Sequence, residues 1–163
     1  MGEAVKSSVM QVLKIIDETM ADGPGLRTSV YVAGCNHKCH GCHNPETWEF
    51  NQGEYWDPVE LAKELIKNPY TDITFSGGDP LYQVGDLTEC CKYIKENSNK
   101  NIWVYTGFIL EQVIDMPLFK KILPYIDTIV TDPYIESMRD TTLKFRGSSN
   151  QRITNIHDIK GYE

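Results

Sequence analysis

No stretch of this chain approaches the ~18 consecutive apolar residues of a membrane-spanning helix. The leading MGEAVKSSVMQVLK also lacks the apolar core of a secretory signal. A cytoplasmic protein with no membrane partner is therefore expected. Positive charge is scarce as well: 16 Lys and Arg stand against 23 Asp and Glu, a formal net charge of -7. Phosphate backbones are bound by clustered Lys and Arg, so no nucleic-acid partner is expected. No internal repeat, low-complexity tract or linker divides the 163 residues, which suggests one domain over 1–163, large enough to bury a core. A complete eight-unit β/α barrel needs about 250 residues; any barrel here must be partial.

Cysteine is sparse and unevenly placed. Three of the five lie in GCNHKCHGCHNPETW (Gly34 to Trp48), where Cys35, Cys39 and Cys42 are separated by three and then two residues. Soft thiolates so close together select zinc or an iron-sulfur cluster. Either centre ordinarily takes four protein ligands, and the loop lacks a fourth cysteine. His37, His40 and His43 interleave the three and leave open a mixed Cys/His zinc module, structural rather than enzymatic. A simple electron carrier would need Cys90 or Cys91 to complete a four-cysteine set. Those two sit in DLTECCKYIKEN, which reads as a helix with cysteine packed as a small hydrophobe.

Alternating elements surround the loop. Val9 to Ile16 suggests a first strand at a sheet edge, and Thr28 to Ala33 a second, rich in β-branched and aromatic residues. Asp57 and Pro58 form an N-cap and first helical position, followed by an apolar stripe ending before Pro69. Strands are expected at Asp72 to Ser76, Asn101 to Tyr105 and Asp127 to Thr131, with helices at Asp86 to Glu96, Leu110 to Asp115 and Leu118 to Leu123, the last two broken by Pro117. Short strands at Thr142 to Arg146 and Arg152 to Ile156 would flank a polar turn. Such alternation argues for βαβ units and a parallel sheet. The cysteine loop then follows a strand's C-terminal end, where β/α folds carry their chemistry.

The CX3CX2C loop resembles the cluster motif of the radical S-adenosylmethionine (SAM) enzymes. DGPGLRTSVYVAGC (Asp22 to Cys35) and CHNPETW (Cys42 to Trp48) are similar to segments of their branch that activates glycyl-radical enzymes. SGGDP (Ser76 to Pro80) resembles its SAM-amine motif, and VYTG (Val104 to Gly107) follows in the same order. FRGSSNQRI (Phe145 to Ile153) resembles the C-terminal signature of the anaerobic ribonucleoside-triphosphate reductase activating family. Many relatives carry an aromatic residue before the third cysteine; here Gly41 stands there, which leaves adenine contact to backbone and His43.

The resemblance implies a partial, open (β/α) barrel of about five to six mostly parallel strands. It implies a 4Fe-4S cluster on Cys35, Cys39 and Cys42, with SAM on the fourth iron. The SAM-binding residues it suggests are Gly41, Cys42, His43, Gly77, Gly78, Asp79, Thr106, Asp132 and Arg146, with Gly77, Gly78 and Asp79 at the methionine part. GGDP alone would also suit a plain turn, and Arg146 and Arg152 would equally suit a carboxylate, a partner surface or solvent. No acid-base residue is implied. The partners implied are the anaerobic ribonucleoside-triphosphate reductase and a flavodoxin-type electron donor. A pyruvate formate-lyase type of activase is the alternative within the class.

Overall fold

The computed structural model describes residues 9–35, 37, 42, 49 and 52–159. Cys39, His40, Gly41 and His43 lie outside the described residues. Among the described residues, seven strands form one sheet: β1 (Met10–Thr19), β2 (Arg27–Val32), β3 (Glu54–Trp56), β4 (Asp72–Gly77), β5 (Ile102–Tyr105), β6 (Thr128–Thr131) and β7 (Arg152–Asn155), in the order β3-β1-β2-β4-β5-β6-β7. The central β2, β4, β5 and β6 are parallel, whereas β1, β3 and β7 join through antiparallel pairings. The sheet is not closed; β3 and β7 are its edges.

That corrects the expected five to six strands, and β1 is not an edge. The antiparallel strand β3 covers it, pairing Met10 with Trp56. Three residues are too few to carry a readable alternation, so β3 left no signal. Thr142 to Arg146 is not a strand. The Asp140 carboxylate accepts from the Thr142 N–H at 2.9 Å and closes a turn, and Phe145 has φ +66°, outside the extended region. Pro117 starts helix α4 rather than separating two others.

Helices α1 (Pro58–Leu65), α2 (Val84–Asn97), α3 (Leu110–Asp115) and α4 (Pro117–Lys120) complete the fold. Asp57 caps α1 as expected, accepting from the Val59 and Glu60 N–H groups at 3.0 Å each. Because strand side chains alternate between faces, Val30, Ile73, Phe75, Ile102, Val104 and Ile129 point to one side. There they join Leu61 and Leu65 of α1 and Leu87, Cys90, Cys91 and Ile94 of α2 in a single core. Each fully buried Leu, Ile or Phe contributes about 1.5–3 kcal/mol. Cys90 and Cys91 are wholly buried, and burial pushes both thiols up in pKa. They act as core residues.

The other face carries Ser29, Tyr31, Thr74, Ser76, Trp103 and Tyr105. Two loops fold over it. Residues 20–26 are held by Thr74, whose hydroxyl donates to the Asp22 carbonyl at 2.8 Å. The loop containing Phe145 packs its ring edge-on to Trp103 at 5.5 Å and accepts from the Tyr105 hydroxyl at 2.7 Å. Apolar packing on one face stabilises the sheet; the polar and aromatic second face leads up to the site.

Candidate iron-sulfur centre

Four parallel strands end on the same side, and their following residues converge. Cys35 comes after β2, Gly77 and Gly78 end β4, Thr106 and Gly107 follow β5, and Asp132 follows β6. All six line one cavity with His37, Cys42, Ser76, Tyr105, Tyr134 and Gln151. An adjoining cleft shares Cys42, Ser76, Tyr105, Tyr134 and Gln151 and adds Asp22, Phe145 and Arg146. Cys35 is 9% exposed and Cys42 half-buried. Two thiols lining one concave site suit a thiophilic metal centre, so the described part of the donor set fits an iron-sulfur cluster.

The two glycines of SGGDP do local work first. Gly77 has φ +105°, and a Cβ there would lie 2.5 Å from the Val32 nitrogen. A Cβ on Gly78 would lie 2.5 Å from the Gly34 carbonyl oxygen. Side chains are therefore excluded where β4 meets the start of the cysteine loop. The Gly78 N–H donates to the Val32 carbonyl and the Asp79 N–H to the Gly34 carbonyl, both at 2.8 Å. Backbone against backbone fixes Cys35 relative to β4.

Asp79 lies beneath the cavity at 1% exposure. Its carboxylate accepts from the Thr106 hydroxyl at 2.8 Å, the Gly107 N–H at 2.9 Å, the Leu81 N–H at 3.0 Å and His37 Nε2 at 2.6 Å. Asp132, at φ +80°, reaches the wall from a conformation rare for a residue with a Cβ. It accepts from Arg152 at 2.9 Å and from the Leu110 N–H at 3.2 Å. Arg152 also forks onto Glu111 at 2.8 and 2.9 Å. Arg152 is thus committed within the fold. Arg146 lines the adjoining cleft and donates to the Gln151 carbonyl.

Gln151 is the residue sequence reasoning overlooked. Its Oε1 accepts from the Gly147 N–H at 2.9 Å and the Ser148 N–H at 3.1 Å, and its amide donates to the Asp132 carbonyl at 3.1 Å. Asn150 donates to the Pro133 carbonyl at 2.8 Å. The RGSSNQ run is folded around one glutamine and stitched to the end of β6. Its several small polar residues in a row were the available signal.

Tyr31 and Tyr105 give the site a pH signature. Burial raises both phenols above their usual range; the hydrogen bond to Asp22 adds to this at Tyr31, and the Asp22 charge at Tyr105. A raised acid keeps its neutral form in the fold, so its contribution is complete below the unfolded value of about 10 and declines as pH rises above it. In an alkaline titration followed by phenolate absorbance, Tyr31 and Tyr105 are expected to ionise late, above the ordinary phenol range. The double Phe variant should lose that late phase.

Comparison with known proteins defines the family. A family described as a 4Fe-4S single cluster domain matches residues 21–154, so the class is that of a protein with one iron-sulfur domain. Anaerobic ribonucleoside-triphosphate reductase-activating proteins match most of the chain. The one from Haemophilus influenzae is 34% identical over 154 residues, covering 88% of this chain and 97% of the relative. That of Enterobacteria phage T4 is 34% identical over 138 residues, covering 81% and 85%. The Escherichia coli (strain K12) protein is 32% identical over 147 residues, covering 84% and 93%. The chain belongs to the anaerobic ribonucleoside-triphosphate reductase-activating protein family.

Proposed function

We propose that this chain activates an anaerobic ribonucleoside-triphosphate reductase, the role its relatives' names state for them, through a 4Fe-4S cluster on Cys35, Cys39 and Cys42. The observation that carries this is the meeting of Cys35 and Cys42 with Gly77, Gly78, Thr106 and Asp132 at the ends of four parallel strands. Held by Cys35, Cys39 and Cys42, the cluster would supply the electron for reductive cleavage of SAM to methionine and a 5'-deoxyadenosyl radical, the species that would take a hydrogen atom from a glycine of the reductase.

The protein's part is binding, orientation and exclusion of side reactions. Cys35, Cys39 and Cys42 are the ligands, and the missing fourth cysteine leaves an iron for SAM. Gly77 and Gly78 present backbone at the cavity, while Gly41 and His43 border the third cysteine in sequence. Thr106 and Asp132 offer oxygens from the wall, and Arg146 offers guanidinium donors in the adjoining cleft for an anionic group. Asp79 serves from below. The open sheet is the partial barrel of a radical SAM protein in one domain, and its unclosed side admits a loop of the reductase. A flavodoxin-type donor and a cytoplasmic setting complete the reading. No described helix is long and apolar enough to cross a membrane.

The test is anaerobic. Protein reconstituted with iron and sulfide receives dithionite and SAM, and 5'-deoxyadenosine is quantified against a Cys39→Ala control. Cys39-dependent product, followed by a glycyl-radical EPR signal on added reductase, is expected. Tightly bound zinc with no product would overturn the reading.

A further inference from the structure

His37 stands between the first two cysteines of the loop, yet its ring is held by the framework. It lies so close over Gly107 that a Cβ there would be 2.5 Å from His37 Cδ2. Phe108 meets it edge-on at 4.7 Å and Tyr82 flanks it at 5.7 Å. Its Nε2 is 2.6 Å from Asp79 Oδ2. The remaining donors to Asp79 belong to the end of β5, through Thr106 and Gly107, and to the turn at Pro80–Gln83, through Leu81. A carboxylate taking all these donors is acceptor-only, so His37 Nε2 carries a hydrogen.

Three anchored donors fix the carboxylate; the fourth reaches into the cysteine loop. Resting on the reading that this loop holds the metal centre, we propose that Asp79, through His37, is a positioning pair that sets the loop for its cluster. The bond is short and charge-assisted, the stronger kind of hydrogen bond. It lies in water-poor surroundings, since Asp79 is 1% exposed and the His37 side chain 17%. Combined with the Gly34–Asp79 backbone bond at 2.8 Å, it ties both sides of Cys35 to Asp79. A loop held at two points keeps its thiolates converged between reduction cycles. Partners outside a ligand set commonly affect metal retention by about 10–100-fold.

The experiment compares wild type, His37→Phe and His37→Gln. Phenylalanine keeps a ring against Phe108 and Tyr82 without a donor, whereas glutamine restores an N–H at similar reach. The reconstituted proteins meet excess ferrous chelator, and iron release is timed beside the melting temperature of each metal-free protein. His37→Phe is expected to release iron about tenfold faster or more, His37→Gln to stay near wild type, and the metal-free melting temperatures to agree. Equal release by His37→Phe and wild type overturns the proposal. So does equal impairment in Phe and Gln, or a metal-free protein that weakens in step with its iron loss. Should the wild type hold zinc instead, the functional reading fails by that fact alone, and the same comparison of zinc release still decides the pair.

Discussion

Arg27→Met is expected to cost about 4 kcal/mol of folding stability and to lower the melting temperature of the metal-free protein by about 10 °C. Arg27 is 1% exposed. Its Nε donates to the Thr74 hydroxyl at 2.8 Å and Nη1 to the Pro24 carbonyl at 2.8 Å. Nη2 reaches the Ile73 carbonyl at 2.9 Å, Asn101 Oδ1 at 2.8 Å and the Asn101 carbonyl at 3.1 Å. Burial pulls its pKa down and the charge of Asp72 opposes this. An arginine nevertheless remains cationic. Not every acceptor is stranded by its loss. The Asn101 carbonyl keeps the Ile73 N–H at 2.9 Å, and the Thr74 hydroxyl keeps its bond to Asp22. Pro24 and Asn101 Oδ1 lose these donors, at about 1–3 kcal/mol each, and the guanidinium leaves a hole beside Trp103, whose ring centre is 5.7 Å away. Lysine should not rescue, because one compact ammonium cannot match a planar fork with five donors. A melting temperature within about 2 °C of wild type would refute this account.

The same residue explains the DGPG run ahead of β2. A Cβ on Gly23 would lie 2.8 Å from Arg27 Cδ, so the loop must be glycine where it crosses the buried side chain. Asp22, brought over the sheet by this loop, accepts from the Tyr31 hydroxyl and borders the cleft that holds Arg146. A buried cation at the foot of the sheet is thereby connected to the wall of the site at its head.

Much of this was legible in the residues. A capping pair and an apolar stripe located α1, the DLTECCKYIKEN run located α2, and β4 to β6 ended in glycine or polar residues. The four parallel strands followed from their alternation with helices, and the place of the cysteine loop followed from the strand before it. What could not be read was long-range. Glu54–Trp56 is a strand because Met10–Val12 lies beside it, and Phe145 leaves the extended region to bring its ring onto Trp103. Arg152 faced three equal readings until Glu111, 41 positions away, closed on its fork. Glycines and an aspartate in SGGDP signalled close approach to something. They did not say that the first thing approached is the chain's own Gly34.

Gly78→Ala turns that last point into the second large effect. The new methyl would meet Gly34 O at 2.5 Å, Gly34 C at 2.8 Å and Gly34 N at 2.9 Å. All three are backbone atoms, so no side chain can swing aside. Relief requires β4 and the residue before Cys35 to separate, which lengthens the Asp79-to-Gly34 and Gly78-to-Val32 bonds now at 2.8 Å. Overpacking of this kind costs about 1–3 kcal/mol, and here the displaced segment carries a proposed ligand. Cluster retention is therefore expected to fall further than stability: iron content after reconstitution should drop about tenfold, while the protein still folds. Gly85→Ala is the control, since a Cβ at that position of α2 meets nothing within 4 Å. It should be neutral or stabilise by up to about 1 kcal/mol through helix propensity. Equal iron content in the two variants would mean that the contact between Gly78 and Gly34 does not set the loop. Loss confined to Gly78→Ala would tie cluster assembly to a backbone distance at the end of one central strand.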